Sequence, residues 1–436
     1  MRRATRLLIT LGTALMLLIS CGTAGAEGES KAGPFLGSDT RISGVKATFD
    51  EHTPAVAWNQ TADEYLVVWQ DWRNAATTGA DIYGRRVGTD GIPIGPDIRI
   101  TGPGATLNQN APAVAWNQGT NEYLVVWEDW RDSATRGSDI YGRRVAADGK
   151  PIGNERRLCG PNATAGDYTP AVAWSQASNR YVVVWQDGRN FASRIMDIYA
   201  RQVGADGKPI GGDRRISGRN ALADEHEPAI AWNGAADEFL VVWRDGRNPA
   251  TAYDIYGRRV GPDAKPIGGE RRVSSRRADA ADQHPAVAWN AADDEYLVVW
   301  QDGRNAATRS WDIYGRRVGA DGRPQGGDRR ISGSRATADE QMPAIAYGQT
   351  SGQYLVMWRD GRNNPTRADD IYGRWIGGDA KPVAGDFRIC GKKAYFQESE
   401  PAVAWDATND EFLVVWTDSR NTGTRCRDIY GRWVEG

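Results

Sequence analysis

The chain of 436 residues is poor in the usual carriers of chemistry: it has three histidines, four cysteines and five methionines. It contains no nucleophile elbow, no phosphate-binding glycine loop and no zinc-ligand spacing. These absences leave no ready-made catalytic or metal constellation, and no cofactor is implied. Charge of neither sign dominates, with 54 basic and 56 acidic residues. Arginine is interspersed with acid along the chain, which gives no basic stripe, so nucleic acid is not an expected partner. No segment carries a sustained helical period. The apolar run at residues 7–19 is too short for a comfortable membrane span.

That run has another reading. Arg2, Arg3 and Arg6 precede it, as in an export signal. Leu18-Ile19-Ser20-Cys21 resembles the bacterial lipoprotein box, which implies a signal at 1–21 and lipidation of Cys21; Gly22 after it resembles the outer-membrane-directed pattern. Ala24-Gly25-Ala26 offers simple cleavage of a 1–26 signal instead, and both routes stay open. Residues 27–33 are small and polar and read as a tether before a single domain at 34–436. The expected place is the cell envelope, as an outer-membrane lipoprotein or a secreted protein. Membrane contact would come only through the N-terminal lipid.

What the chain does have is aromatic residues, 18 Trp and 16 Tyr, and a repeat. Pro54, Pro112, Pro170, Pro228, Pro285, Pro343 and Pro401 each open a Pro-Ala-Val-Ala-Trp-like segment, in steps of 58, 58, 58, 57, 58 and 58 residues. Such regularity means one supersecondary unit packed on copies of itself. Each of the first six units carries four strand signals, in the first at 55–58, 64–69, 82–87 and 94–101. Residues 59–63 and the turn Thr89-Asp90-Gly91 close the hairpins. Tyr65-Leu66-Val67-Val68-Trp69 is apolar on both faces, so both must be covered.

Seven such units predict an all-β fold, a seven-bladed β-propeller of four-stranded antiparallel blades. A linear solenoid competes with it. The last unit has only three strand signals, ending at Val434, while residues 36–43 match the fourth-strand segment 94–101. A ring closed by the N-terminal strand completing the last blade explains this and leaves no open half-blade; a solenoid gains nothing from it. The order Pro…Trp, Trp-x-Asp-x-Arg-Asn, Asp-Ile-Tyr, Asp-Gly and Arg-Arg-Ile-Ser (214–217 and 329–332) resembles the repeat of TolB-type and related bacterial envelope propellers. The resemblance spans 36–434 and implies the fold; it describes blade-building residues and transfers no partner. The Ser-Pro-Asp-Gly turn usual in those repeats is missing here.

In a propeller the loops joining second to third strand, and those joining blade to blade, share one face, where a ligand is expected. The set Asp71/Arg73/Asp81 recurs in all seven units. It reads either as a ring of polar sites, Arg73 and Arg131 offering planar forks to hydroxyls or carboxylates, or as pins holding a long loop to its blade. Trp72 and Trp130 break the pattern, standing where four other units have Gly188, Gly246, Gly303 and Gly361. Tyr253 and Trp311 sit just before the third strand elsewhere. These large aromatics are candidates to stack on sugar rings or anchor a protein, or else they fold back over the blade edge. His52, His226 and His284 precede or adjoin the first-strand proline and read as polar residues at the channel mouth. Cys159 and Cys390 share one repeat position, and Cys390 is expected to pair with Cys426 in an oxidising envelope compartment. The functional expectation is a non-catalytic binding module for a glycan or an envelope protein. A scaffold without small ligand, or a polysaccharide hydrolase or lyase, is the alternative.

Overall fold

The second strand of each repeat dictates the architecture. In a computed structural model, Tyr65, Leu66, Val67, Val68 and Trp69 are all buried to within 1%. Alternate side chains serve opposite neighbours. Tyr65, Val67 and Trp69 pack with Leu413, Val415 and Ile429 of the last repeat, whereas Leu66 and Val68 pack with Tyr123, Val125 and Trp127 of the next. Each fully buried side chain of this kind is worth about 1.5–3 kcal/mol, so every sheet is stabilised on both faces by its neighbours.

The structure describes residues 35–44, 49–161, 165–191, 195–218, 224–275, 280–306, 310–333, 338–364, 368–391, 396–422 and 426–436. Cys21 and the export and tether segments lie outside them. Residues from Pro34 to Gly436 form one compact unit, built of seven four-stranded antiparallel sheets. The first blade is β2 (Glu51–Asn59), β3 (Glu64–Asp71), β4 (Asp81–Gly88) and β5 (Pro93–Arg99). β1 (Phe35–Arg41) is the outer strand of the seventh blade, pairing Phe35 with Val434 and Arg41 with Tyr430. The closure is chemical as well as topological. Gly391 N donates to Asp39 on β1 at 2.9 Å, as Gly44 N donates to Asp97 on β5 at 2.9 Å. One helical turn, Ser133–Arg136, lies in a loop of blade two.

One boundary differs from the sequence reading. The innermost strand starts at Glu51, four residues before Ala55, and continues through a bulge between His52 and Ala55. Thr53 there has φ 47°. The equivalent residues Ala111, Thr169, Glu227, His284, Met342 and Glu400 all have φ between 45° and 55°. Proline and polar residues look like loop in a sequence; here the bulge lets the strand continue past a residue with no N–H.

Candidate functional site

The recurring charged loop is a joint. Trp69 Nε1 donates to Asp71 Oδ2 at 3.0 Å. Arg73 donates from its backbone N and Nε to Asp71 Oδ1 at 2.8 and 2.9 Å, and from Nη2 to Asp97 Oδ2 at 2.8 Å. Its guanidinium lies 4.0 Å over the Tyr83 ring. All seven blades repeat this stacking at 4.0–4.2 Å. The candidates Arg73 and Arg131 are therefore placed as loop pins. Each side chain is only 17% exposed and bridges two carboxylates, Asp71 with Asp97 and Asp129 with Glu155.

Directly above the joint, the blades stop being alike. Trp72 N donates to Asp50 O, Trp130 N to Asn108 O, and Gly246 N and Gly303 N to Asp224 O and Ala281 O, so these residues share one backbone seat. A Cβ on Gly246 would lie 3.2 Å from the Tyr253 ring, and one on Gly303 3.2 Å from the Trp311 ring. Gly188 and Gly361 face Met196 and Asp369 in the same way. Bulk is thus supplied from one end of the loop or the other. Trp72 is matched by Ala80 and Trp130 by Ser138, whereas Gly246 and Gly303 are matched by Tyr253 and Trp311. Tyr253 and Trp311 fold back over their own blades, Tyr253 also carrying the Arg244 guanidinium at 4.5 Å.

Trp72 and Trp130 do something different. They wall a single cavity of about 460 Å³ between blades one and two, with Thr106, Leu107 and Asn108 between them. Trp130 is held in place: its Nε1 donates to Glu128 Oε1 at 2.6 Å, and its ring lies 6.0 Å from that of Tyr168. Glu128 Oε2 accepts from Thr169 N of the next blade at 3.4 Å. Burial pushes the Glu128 carboxyl up, yet both its oxygens are engaged, which makes it a positioning residue for Trp130. The matching position elsewhere is Gln70, Gln186, Arg244, Gln301, Arg359 or Thr417. Blade-to-blade variation was visible in the sequence, and it marks the rim of this face.

At the axis, the seven left-handed residues and the prolines that follow them line a cavity of about 320 Å³. His284 Nδ1 is 3.5 Å from Glu227 Oε2, His52 Nδ1 is 3.9 Å from Glu400 Oε2, and His226 Nε2 is 3.5 Å from Asp224. Each histidine meets a different acid.

A second recurring feature lies just before the strand bounds that the sequence predicts. Glu51, Asp167, Glu225, Asp282, Glu340 and Glu398 open the innermost strands and are fully buried, with Gln109 in the same seat of blade two. Glu51 accepts from Ile429 N of the preceding blade at 3.1 Å, and Glu225 from Ile198 N at 3.2 Å. Burial pushes Glu225 and Asp282 up to about 9 and Glu340 up to about 8. Burial thus favours the protonated form of Glu225, Asp282 and Glu340, and Gln109 puts a neutral amide in the same seat of blade two.

The expected Cys390–Cys426 disulfide is corrected: both residues are free thiols, as is Cys159. Cys390 is turned inward, 3.4 Å from Asp370 Oδ1 and accepting from Ile371 N. It fills the seat that Ser217, Ser274 and Ser332 hold in other blades, so its sulfur is committed to its own blade. Among the described residues, Asp139/Cys159/Asp167 and Asp370/Cys390/Glu398 each bring donor atoms within 4.8 Å, the spacing of a metal cage. In the other blades serine or threonine takes the cysteine seat of the same network, and Arg157 pairs with Asp139 at 2.5 Å, so the sets read as blade-building.

No family model matches the chain, and no curated protein matches its sequence. Its fold is similar to solved glycosidase propellers. An α-L-arabinofuranosidase from Fusarium graminearum aligns with TM-score 0.52 at 10% identity, covering 92% of this chain and 98% of that one. The parainfluenza virus 5 hemagglutinin-neuraminidase ectodomain aligns with TM-score 0.52 at 8% identity, covering 92% and 85%. The Dos1 propeller aligns with TM-score 0.50 at 7% identity, covering 92% and 95%. At such identities the likeness is one of fold. The TolB-type resemblance holds for the propeller and not for that family in particular.

Proposed function

We propose that the protein is an exported, non-catalytic binding module that takes a carbohydrate on its loop face, in the groove between Trp72 and Trp130. The observation that carries this reading is that two tryptophans of adjacent blades wall one cavity, with the second fixed by Glu128. A rigid indole offers a sugar ring a large apolar face at little entropic cost. The cleft is small, which suits one or two residues of a glycan. Export rests on the N-terminal segment, with Cys21 as lipid anchor or cleavage after residue 26. Fold likeness to arabinofuranosidases does not by itself set activity.

A glycan array with the full mature chain, repeated with Trp72→Ala and Trp130→Ala, tests the reading. Saturable binding lost in both variants is expected; turnover of a bound polysaccharide would contradict the non-catalytic part. A protein ligand is the second reading. It is favoured by Phe49, Phe191 and Phe396, which lie in loop-face segments and are 48–60% exposed. An array blank for every glycan would favour it.

A further inference from the structure

The outer edge of the ring holds a pattern that neither the joint nor the rim explains. The fourth strands of blades two to five are Pro151–Arg157, Pro209–Arg215, Pro266–Arg272 and Pro324–Arg330, and each ends in an acid followed by two arginines. Folding separates these three charges. The acid turns toward the preceding blade: Gly160 N donates to Asp213 at 2.9 Å, Gly218 N to Glu270 at 2.6 Å and Ser275 N to Asp328 at 3.1 Å. The last arginine turns inward, Arg157, Arg215, Arg272 and Arg330 each pairing with a third-strand aspartate at 2.5–2.6 Å. The middle ones, Arg156, Arg214, Arg271 and Arg329, are exposed. None has a carboxylate within ion-pair distance among the described residues. Asp206, beside Arg156 in the groove between blades two and three, is held by Lys208 at 2.7 Å. Asp379, which senses Arg329, is held by Lys381.

The other three blades differ at this seat. Blade one has Ile98, which reaches Gly149 of blade two. Blade six has Phe387, edge-on to Phe35 with ring centroids 5.8 Å apart. Blade seven has Thr40. The arginines therefore form an arc over four consecutive blades. A groove of about 860 Å³ between blades four and five lies within it, lined by Arg271, Ser275, Arg316 and Gly326. Arg316 donates to Val273 O and Gly326 O, whereas Arg271 is exposed and makes no ion pair with a described residue. A Cβ on Gly326 or Gly327 would meet nothing, so the backbone beside it is open.

We propose that this arc is a docking surface for a linear, carboxylated polysaccharide, with Arg156, Arg214, Arg271 and Arg329 each taking a uronate carboxylate. The guanidinium fork matches a carboxylate in two hydrogen bonds. Four equivalent forks one blade apart suit a repeating chain, and their weak contacts sum by avidity. Neither edge groove is lined by an aromatic side chain, so a nucleic acid would find no stacking platform. Hydroxyl-bearing sugars can approach the open glycine backbone.

The test is polygalacturonate binding to the full chain at low salt, measured by calorimetry, with Arg156→Ala, Arg214→Ala, Arg271→Ala and Arg329→Ala singly and together. Single variants should weaken binding by about 3- to 10-fold and the fourfold variant by at least about 100-fold, as expected for multivalent sites. Added salt should weaken the wild type steeply. Because the four side chains are exposed, melting temperatures should stay level; should the fourfold variant unfold, Arg271→Glu alone decides, with an expected loss of at least tenfold. The proposal is overturned if the wild type does not bind polygalacturonate, if the variants bind as well as it does, or if polyphosphate or single-stranded DNA binds as tightly at the same salt.

Discussion

Asp71, Trp72 and Arg73 are consecutive, and they obey opposite rules. Asp71 and Arg73 have identical counterparts in all seven blades, inside the joint where they bond to one another. The seat of Trp72 holds Trp, Gly or Ser, because its side chain leaves the joint toward the loop face. Identity between repeats thus marks what holds a blade together, and variation marks where blades are free to differ. The comparison can be broken by making a joint residue tolerant or a rim residue intolerant.

The largest effect is expected inside the joint. Asp302→Ala removes the acceptor of Trp300 Nε1 and of Arg304 and leaves a part-buried guanidinium short of a partner. A loss of about 3–5 kcal/mol is expected in urea unfolding, the usual result of breaking a buried pair. Next comes the rim's size exchange. Gly303→Trp drives an indole into the space of Trp311 and should cost about 1–3 kcal/mol, as overpacking does. Adding Trp311→Ser should recover most of it, giving blade five the Trp130/Ser138 arrangement of blade two. Additive losses in the double variant would show that the two seats are unrelated.

A smaller, pH-dependent effect concerns the buried acids. Their folded values lie above the ordinary carboxylate range of about 4, so the folded state holds protons that the unfolded chain has released. Stability from this source is full below about pH 4 and is lost as pH rises through the folded values, about 8 for Glu340 and about 9 for Glu225. Melting temperature should fall between pH 7 and pH 9.5. Glu225→Gln, neutral at every pH, should be at least as stable as the wild type at pH 7 and should flatten that fall. A melting temperature that rises across this range would contradict the assignment.

Much of the fold was legible in the sequence because the information is repeated. Tyr-Leu-Val-Val-Trp and its close variants, read seven times, declare a strand covered on both faces, and residues 36–43 declare the missing seventh outer strand. The innermost strands were read too short because Pro54 and its equivalents hide a bulge, which also concealed the buried Glu51 series behind it. For the site, the sequence located Trp72 and Trp130. It could not reveal that Tyr253 and Trp311 fill the same layer from the other end of the loop, since that relation exists only when both ends are folded onto one blade. The Cys390–Cys426 bond expected from an oxidising compartment does not form, because side-chain direction, set by the network around Asp370, turns the Cys390 sulfur into its own blade. The exposed arginine arc was hidden by the acids and arginines beside it, whose charges are separated only by the alternation of a strand.

The central claim is that the varied rim, and within it the groove of blades one and two, selects the ligand. The most direct measurement is calorimetric titration of a saccharide retained on the array into the wild type, Trp72→Ala, Trp130→Ala and Trp311→Ala. Truncating an aromatic anchor of a binding site costs about 2 kcal/mol, so the first two variants should lose at least about tenfold in affinity while Trp311→Ala binds as the wild type does. Equal losses in all three, or none in Trp72→Ala and Trp130→Ala, would contradict it.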